Sequence, residues 1–342
     1  PGPWPWRRSN CPACHSLKPW QLHNLLAESV VKGIRGADSS AECISFFYQP
    51  QVAEGRDAWV TEAARHVPAG VTLQYNFESG AIREQLGKAR HGGDYWLSYA
   101  GPSDAFRAVA EAGRASGARL GAKIQVGNSH EIATLPFVPV PGLLYRKYRA
   151  MKKLGVSSVT QCWYFGNYPG VMNKAAGELA FEDFADGEGA FLHRLAAPDW
   201  GEDAKAVAGM WKKLSDAYAN YPLSNNMQYY GPFAAGVAWP LRPDVDLATL
   251  GRTWKPCDFP SGDLIGECLE NHSLAEARQL AARMVALSQF PELDGLAARW
   301  KHDRARSLDL GIVKALALHF RNAYDIFDFY ESRAEAVFAG IA

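Results

Sequence analysis

Strand and helix signals alternate four times between Trp20 and Tyr168. The strand-like stretches are short and apolar, and they contain ECISFF, VTLQYN, RLGAKIQV and VSSVTQCW. The stretches before them have apolar residues at helical spacing, as in WQLHNLLAESVVKGI. A helix between successive strands is the usual connection of parallel strands. The pattern therefore predicts an α/β fold with a parallel sheet that is apolar on both faces and covered by helices.

The four units match half of a (β/α)8 TIM-type barrel. No GxGxxG or P-loop sequence begins a helix, so nothing favours a nucleotide-binding sheet. The other large parallel architecture is the barrel, which typically has about 250 residues. The first residues, PGPWPWRRSNCPACH, have the character of a loop inside a longer protein. We therefore expect residues 1–177 to be the C-terminal half of a barrel, strands five to eight, with the N-terminal half missing from this chain.

Residues 178–342 are predicted to form a mainly α-helical region, because the strand signals stop and long amphipathic stretches follow, such as SLAEARQLAARMVALSQF. One stretch, SNNMQYYGPFAAGVAWPLRPD, is rich in Gly, Pro and aromatic residues and is predicted to be a long loop. Such loops are more often functional than idle. This loop either closes over the mouth of the barrel or ties the helical region to it, and packing is the preferred interpretation.

Composition excludes several classes of partner. The 36 basic and 36 acidic residues cancel, which argues against a nucleic-acid partner. No apolar run has the roughly 18–20 residues of a membrane helix, so no membrane partner is expected. Six cysteines are too few for a disulfide-built fold of this size. Cys43 and Cys162 are expected to be buried thiols, whereas Cys257 and Cys268 could pair. Unpaired cysteines favour the cytoplasm.

The CPACH motif near the start has three interpretations. Cys-x-x-Cys-His is the attachment pattern of c-type haem and also resembles half of a zinc site, formed by Cys11, Cys14 and His15 with His23 as a fourth ligand. A thiol pair or local disulfide that pins a loop is preferred to zinc, and zinc to haem. We therefore predict no cofactor and no metal.

Polar and aromatic residues follow each predicted strand. Because the carboxyl ends of barrel strands form one mouth, where ligands bind, we expect these residues to gather there. The candidates are Tyr48 after the first strand, Gln74, Asn76 and Glu78 after the second, Asn128, His130 and Glu131 after the third, and Gln161, Trp163 and Tyr164 after the fourth.

Amide, carboxylate and aromatic groups together suit a carbohydrate, which needs hydroxyl partners and a ring to stack on. Cleavage of a glycosidic bond needs two carboxyl groups, one as acid and one as nucleophile or base. Glu78 and Glu131 are the catalytic candidates, and Asp94 in HGGDYWLSY is expected to bind substrate. Each acid has the alternative of a purely hydroxyl-binding or surface role. His130 is equally a hydrogen-bond donor or proton shuttle for the substrate, or a core histidine.

Six stretches of the chain are distinctive enough to compare with a family. They are CPACHSLKPW, LQYNFESG, GDYWLSYAGPS, KIQVGNSHEIATLPFVPVPGLLYRKYRAMKKLGV, QCWYFGNYP and YYGPFAAGVAWPL. Together they resemble bacterial glycoside-hydrolase-like proteins, similar to the β-N-acetylhexosaminidase type of (β/α)8 barrel with a helical C-terminal region. The resemblance runs from Cys11 to about Phe338 and implies a barrel and sugar chemistry. In that type an Asp-Glu pair after strand four is catalytic. No segment here matches the pair, so no catalytic residue is carried over.

The predicted function is that of a glycoside hydrolase, or a fragment of one, acting on a carbohydrate substrate through carboxylate general acid/base chemistry. The alternative is a non-catalytic carbohydrate-binding barrel protein, which would keep the amides and aromatics without needing an acid of raised pKa. A third hypothesis is a haem or zinc protein built around the CPACH motif.

Overall fold

The computed structural model describes residues 12–47, 58–161, 169–243 and 265–340. The chain divides into two compact units. The first, which we call the sheet unit, comprises the described residues of Pro1–Ala81, Gly101–Ile124 and Ala150–Gln161. The second, the helical unit, comprises those of Ile82–Ala100, Gln125–Arg149 and Cys162–Ala342. Segments that precede position 178 therefore belong to both units.

The described strands are β1 (Cys43–Phe47), β2 (Val71–Asn76), β3 (Ile82–Gln85), β4 (Lys88–His91), β5 (Arg119–Ile124) and β6 (Val156–Gln161). The sheet unit contains a four-stranded sheet of order β1-β2-β5-β6 in which every pair is parallel. These are the four predicted strands, and the predicted α/β fold with a parallel sheet is confirmed. The outer edges of β1 and β6 pair with no strand in the described part of the chain.

The helices up to the end of the sheet are α1 (Pro19–Ala37), α2 (Ala58–Arg65), α3 (Asp104–Ala115) and α4 (Pro141–Lys153). The later helices are α5 (Val171–Leu179), α6 (Gly187–Trp200), α7 (Ala204–Tyr218), α8 (Asn225–Tyr230), α9 (Pro232–Ala235), α10 (Ile265–Leu269), α11 (Leu274–Leu287), α12 (Leu293–Arg299) and α13 (Arg304–Phe338). None of the described helices is both long and apolar enough to cross a membrane.

One face of the sheet is apolar and packs against α3. Leu73 and Tyr75 of β2 and Leu120 of β5 are buried, and α3 contacts both strands. The approach is close, since a Cβ atom on Gly113 of α3 would lie 2.7 Å from Leu73 Cδ2 and 3.0 Å from Leu120 Cδ2. Helix α3 begins after Ser103, its N-cap, whose hydroxyl accepts a hydrogen bond from the Phe106 N–H at 3.1 Å.

Side chains alternate between the faces along each strand, and the opposite face of the sheet is polar on β2, β5 and β6. It carries Thr72, Gln74 and Asn76 from β2, Gly121 and Lys123 from β5, and Ser158 and Thr160 from β6. Gln74, Asn76 and Lys123 are buried, and the Thr160 hydroxyl donates to Gln74 Oε1 at 2.8 Å. The prediction that the strands are apolar on both faces was therefore wrong.

The helical unit is built around α7, α11 and α13. Helix α11 packs against α7 and α13, and α6 packs against α7. Its buried side chains include Leu214, Leu280, Met284, Phe320 and Phe327. No strand follows β6 among the described residues. The stretch predicted to be one long loop instead holds two short helices, α8 and α9, and its last described residue is Pro243.

The antiparallel hairpin of β3 and β4 belongs to the helical unit and was not predicted. Its turn is Leu86–Gly87, and both residues have positive φ, 54° and 75°. Two consecutive positive φ angles are typical of the tight hairpin turn that usually has Asn-Gly. Leucine at the first position hides this signal in the sequence.

Candidate functional site

Three of the predicted site residues lie at the end of β2 in the sheet unit. Gln74, Asn76 and Glu78 are buried. The Phe77 N–H donates to Lys123 O at 2.9 Å and its carbonyl accepts from the Ser103 N–H at 3.0 Å. These backbone bonds hold the chain beyond the strand, so Glu78 leaves the sheet in a fixed position.

The end of β6 supplies one further predicted residue. Gln161 is exposed at the last position of the strand. Tyr48, Trp163 and Tyr164 lie outside the described residues. In the sheet unit Gln74 bonds to Thr160, which the sequence did not single out.

Asp94, Asn128, His130 and Glu131 belong to the helical unit, and the structure brings them to one cluster. Asn128 is buried; its Nδ2 donates to Leu135 O at 2.6 Å and its Oδ1 accepts from the Ser129 N–H at 2.7 Å. Both ends of this amide thus bond to backbone, which shapes the turn that presents His130 and Glu131.

Glu131 is fully buried and binds the backbone of another loop. Its Oε2 accepts from the Leu97 N–H at 2.7 Å and from the Ser129 hydroxyl at 2.6 Å. The Ser98 N–H lies 3.2 Å from both carboxylate oxygens. Burial raises the pKa of Glu131, although these hydrogen bonds oppose the change. General acids in enzymes often have a buried carboxyl group whose pKa is raised.

The loop that Glu131 holds, residues 94–98, is clamped by three more polar side chains, of which Lys147 and Gln228 are buried and Arg83 is half-buried. The Lys147 ammonium donates to Trp96 O at 2.8 Å, and Arg83 Nη2 donates to Ser98 O at 2.7 Å. From α8, Gln228 Nε2 donates to Tyr95 O at 2.7 Å and to Asp94 O at 3.3 Å. Several side-chain hydrogen bonds to its backbone fix the loop in one conformation, as binding and catalytic sites require.

Tyr95 in this loop has a φ of 72°, a left-handed conformation that is costly for a residue with a bulky side chain. Its N–H donates to Asp94 Oδ1 at 2.9 Å. Beside it, the Gly93 N–H donates to Asn225 Oδ1 at 2.8 Å, and a Cβ on Gly93 would lie 2.8 Å from Asn225 Nδ2. Helix α8 thus packs closely on this loop, and both belong to the helical unit.

His130 lies between two tyrosine rings. Its ring centroid is 5.6 Å from that of Tyr95, edge-on, and 4.3 Å from that of Tyr229 on α8. Tyr229 is exposed and His130 is half-buried. The rings make a partly open aromatic surface next to the clamped loop. Tyr95 was missed as a site residue because its sequence neighbours gave no sign of the strained backbone.

The described residues contain no group of three or more His, Cys, Asp or Glu side chains arranged for a metal ion. His15 Nδ1 lies 2.7 Å from Pro12 O, and Cys11 lies outside the described residues, as do Cys162 and Cys257. Cys43 and Cys268 are buried. The three interpretations of the CPACH motif stay predictions.

The cluster in the helical unit has carboxyl, amide, imidazole and phenol groups within a rigid frame, and these groups can bind hydroxyls and stack on a ring. Comparison of the chain with models of protein families, with curated proteins and with solved structures found no match. The resemblance to hexosaminidase-type barrels stays a prediction.

Proposed function

We propose that this chain is a glycoside hydrolase, or part of one, whose sugar-contacting surface includes His130 and Tyr229. The observation that carries the proposal is the clamped 94–98 loop, in which buried side chains hold a strained Tyr95 against His130. Strain of this kind is concentrated at functional sites. The exposed ring of Tyr229 supplies a stacking surface for the apolar face of a sugar.

The sheet supports a barrel-type architecture for this function. Helix α3 covers the apolar face, and the polar face carries Gln74 and Asn76 towards the carboxyl ends of the strands. In a (β/α)8 barrel the helices lie outside and ligands bind at the carboxyl ends. Ile44 and Phe46 of the edge strand β1 lie on the same sheet face as Thr72 and Gln74 and are exposed. The outer edge of β1 pairs with no strand among the described residues. Closure of a barrel pairs such edges with further strands, and we propose that the four strands are strands five to eight.

Glu131 is the proposed general acid, since its buried carboxyl has a raised pKa. Glu78 is the second catalytic candidate, with the role of nucleophile or base. Asp94, Asn128 and His130 in the helical unit, and Gln74, Asn76 and Gln161 in the sheet unit, are proposed substrate contacts. Tyr48, Trp163 and Tyr164 keep the same proposed role.

A non-catalytic carbohydrate-binding protein is the second candidate, and one observation favours it. Three groups donate hydrogen bonds to Glu131 Oε2, and two of them are backbone N–H groups. These bonds occupy the oxygen lone pairs on which the proton of a general acid would sit. They suit an ionised carboxylate that only positions the loop.

The two functions are separated by activity and binding measurements on the same variants. Aryl glycosides, including aryl N-acetylhexosaminides, are screened with the full chain and with Glu78→Gln and Glu131→Gln. Hydrolysis is expected to fall at least about a hundredfold in each variant. Glu111→Gln, at an exposed position of α3, is the matched control and should keep full activity.

Sugar binding without turnover, with unchanged affinity in Glu131→Gln, would favour the binding protein. Full hydrolysis by both glutamine variants would refute the carboxylate assignments. Neither binding nor hydrolysis of any sugar would contradict the carbohydrate proposal as a whole.

A further inference from the structure

The helical unit contains a cavity of about 820 Å³ that the proposed sugar site does not use. It lies between the segment before α4, the first turn of α5, the end of α6, α7 and the first turns of α13. Its size falls in the range of about 300–1,000 Å³ that is usual for small-molecule sites. We propose that this cavity binds a small uncharged molecule with an apolar body and one hydrogen-bonding end.

The apolar body of the proposed ligand is inferred from the side chains that line the cavity. Phe137, Trp211, Val171, Leu308 and Ile312 line the cavity. Phe137 and Trp211 are otherwise buried in the core, whereas Leu308 is 59% exposed. Aliphatic and aromatic walls do not bond to hydroxyls, and a polyol placed there would leave buried hydroxyls without partners. This separates the cavity from a sugar site.

The hydrogen-bonding end of the proposed ligand is inferred from a row of four charged residues in the cavity lining. Lys174 Nζ lies 2.9 Å from Asp199 Oδ2, Arg306 Nη1 lies 3.2 Å from Asp199 Oδ1, and Arg306 Nη2 lies 3.1 Å from Asp309 Oδ2. Arg306 also lies over the Trp200 ring, 5.1 Å from its centroid, which fixes the guanidinium in place.

The absence of net charge selects an uncharged ligand. Lys174, Asp199, Arg306 and Asp309 are the charged residues that line the cavity, two of each sign, and each is ion-paired. A charged ligand would have to break one of these pairs or bring an unpaired charge against apolar walls, and both are costly. A hydroxyl can bond to the row without breaking it, because carboxylate and ammonium groups keep hydrogen-bonding capacity beyond one partner.

Three probes with the same apolar body test the proposal on the full chain by calorimetry. They are 4-phenylbutan-1-ol, 4-phenylbutanoate and 4-phenylbutylamine. The alcohol is expected to bind about tenfold more tightly than either ion. No binding of the alcohol, or tighter binding of an ion, would overturn the proposal.

Filling the cavity tests its location. Ala305→Trp places a large side chain at an exposed position of the lining and should abolish binding of the alcohol. Ala297→Trp, on an exposed face of α12 away from the lining, is the matched control and should bind normally. Equal binding by both variants would show that the alcohol binds elsewhere, and the proposal would be wrong.

Changing the charge of the lining tests the selectivity. Asp309→Asn leaves one excess positive charge, so 4-phenylbutanoate should gain about tenfold in affinity relative to the alcohol. Lys174→Gln leaves one excess negative charge and should favour 4-phenylbutylamine to a similar extent. The melting temperature of each variant confirms folding. Unchanged selectivity in both folded variants would contradict the role of the charged row.

Discussion

Single residues in this protein join segments that are far apart in the chain, and Glu131 is the clearest case. Its carboxylate satisfies backbone N–H groups at Leu97 and Ser98, 34 and 33 residues away. Its own carbonyl accepts from the Tyr221 hydroxyl at 3.0 Å, 90 residues away. The same residue that was predicted as a catalytic acid is thus also a connection between three segments.

Replacement of Glu131 by alanine is expected to destabilise the protein by about 3 kcal/mol, because two buried N–H groups lose their acceptor. The free energy of unfolding in urea measures this. Glu111→Ala, at an exposed position, should change it by less than about 0.5 kcal/mol. Equal effects of the two variants would show that the Glu131 bonds contribute nothing to stability.

The chemical character of this residue could be read from the sequence, but its partners could not. An acid shortly after a strand suggested a site, and the structure does place Asn128, His130 and Glu131 in one cluster. Leu97 and Tyr221 showed no sign of their contact with Glu131, because hydrogen bonds across such separations leave no local pattern. The strain at Tyr95 is hidden for the same reason.

At the scale of elements, the four parallel strands could be predicted from the sequence, but the polar face of their sheet and the neighbouring hairpin could not. All four parallel strands are short runs that contain aliphatic, β-branched or aromatic residues and have turn signals around them, which local propensity identifies. The polar sheet face was missed because the alternation of Gln74 and Asn76 with Leu73 and Tyr75 was interpreted as a fully buried strand. The β3–β4 hairpin was missed because Leu86 stands where turns usually have Asn.

Two helix glycines give a matched test of the packing of α3 on the sheet. Gly33→Ala in α1 adds a methyl group with no atom within 4 Å, so it should stabilise the protein by about 0.5–1 kcal/mol through helix propensity. Gly113→Ala gains the same propensity but places a Cβ 2.7 Å from Leu73 Cδ2. It should be less stable than Gly33→Ala by about 1–3 kcal/mol. Thermal unfolding of both variants measures the difference, and equal stabilities would contradict the close packing.

The hairpin is held to α11 by a charged cluster that should respond to acid. Lys88 and Arg90 of β4 pair with Glu276 at 2.7 and 2.8 Å. His272 lies 3.4 Å from Gln85 of β3. Burial, with the nearby Arg90, lowers the pKa of His272 from 6.5 to about 4. The bonds from Lys88, Ser273 and Arg90 lower the pKa of Glu276 from 4.5 to about 2.

The pKa of His272 fixes the direction of its effect on stability. The unfolded chain takes up a proton near pH 6.5 and the folded chain only near pH 4, so the contribution of His272 is complete above pH 6.5 and is lost as pH falls towards 4. We expect a loss of about 2–3 kcal/mol in this window. His272→Gln should reduce this dependence of stability on pH, whereas His302→Gln, at an exposed position, should leave it unchanged. Urea unfolding at pH 7, 5.5 and 4.5 measures the effect, and parallel curves for the wild type and His272→Gln would contradict it.

At the scale of the whole molecule, the two units are interleaved in sequence. The helical unit takes Ile82–Ala100 and Gln125–Arg149 from between segments of the sheet unit. These insertions supply Arg83, which donates to Ala219 O at 2.6 Å, and Gln85, which donates to Tyr221 O at 2.9 Å. The sequence indicated a change from strands to helices after position 177, but it could not indicate this exchange of segments.

A fragment of residues 178–342 should therefore fail to fold alone. It lacks the partners of Ala219, Tyr221 and Leu223, whose backbone groups bond to Arg83 and Gln85 in the full chain. Circular dichroism should show reduced helix content and no cooperative melting, whereas the full chain should melt cooperatively. Cooperative melting of the fragment with undiminished helix content would show that the inserted segments are dispensable.

The bond between Arg83 and Ala219 has a consequence for biosynthesis. The two residues are 136 positions apart, so at roughly 5–20 residues per second a ribosome needs about 7–27 s to make the acceptor after the donor. A lone hairpin is only marginally stable in water. During that interval the newly made β3 and β4 lack the neighbours that hold them in the folded protein, so the hairpin gains its full stability only after Ala219 has been made.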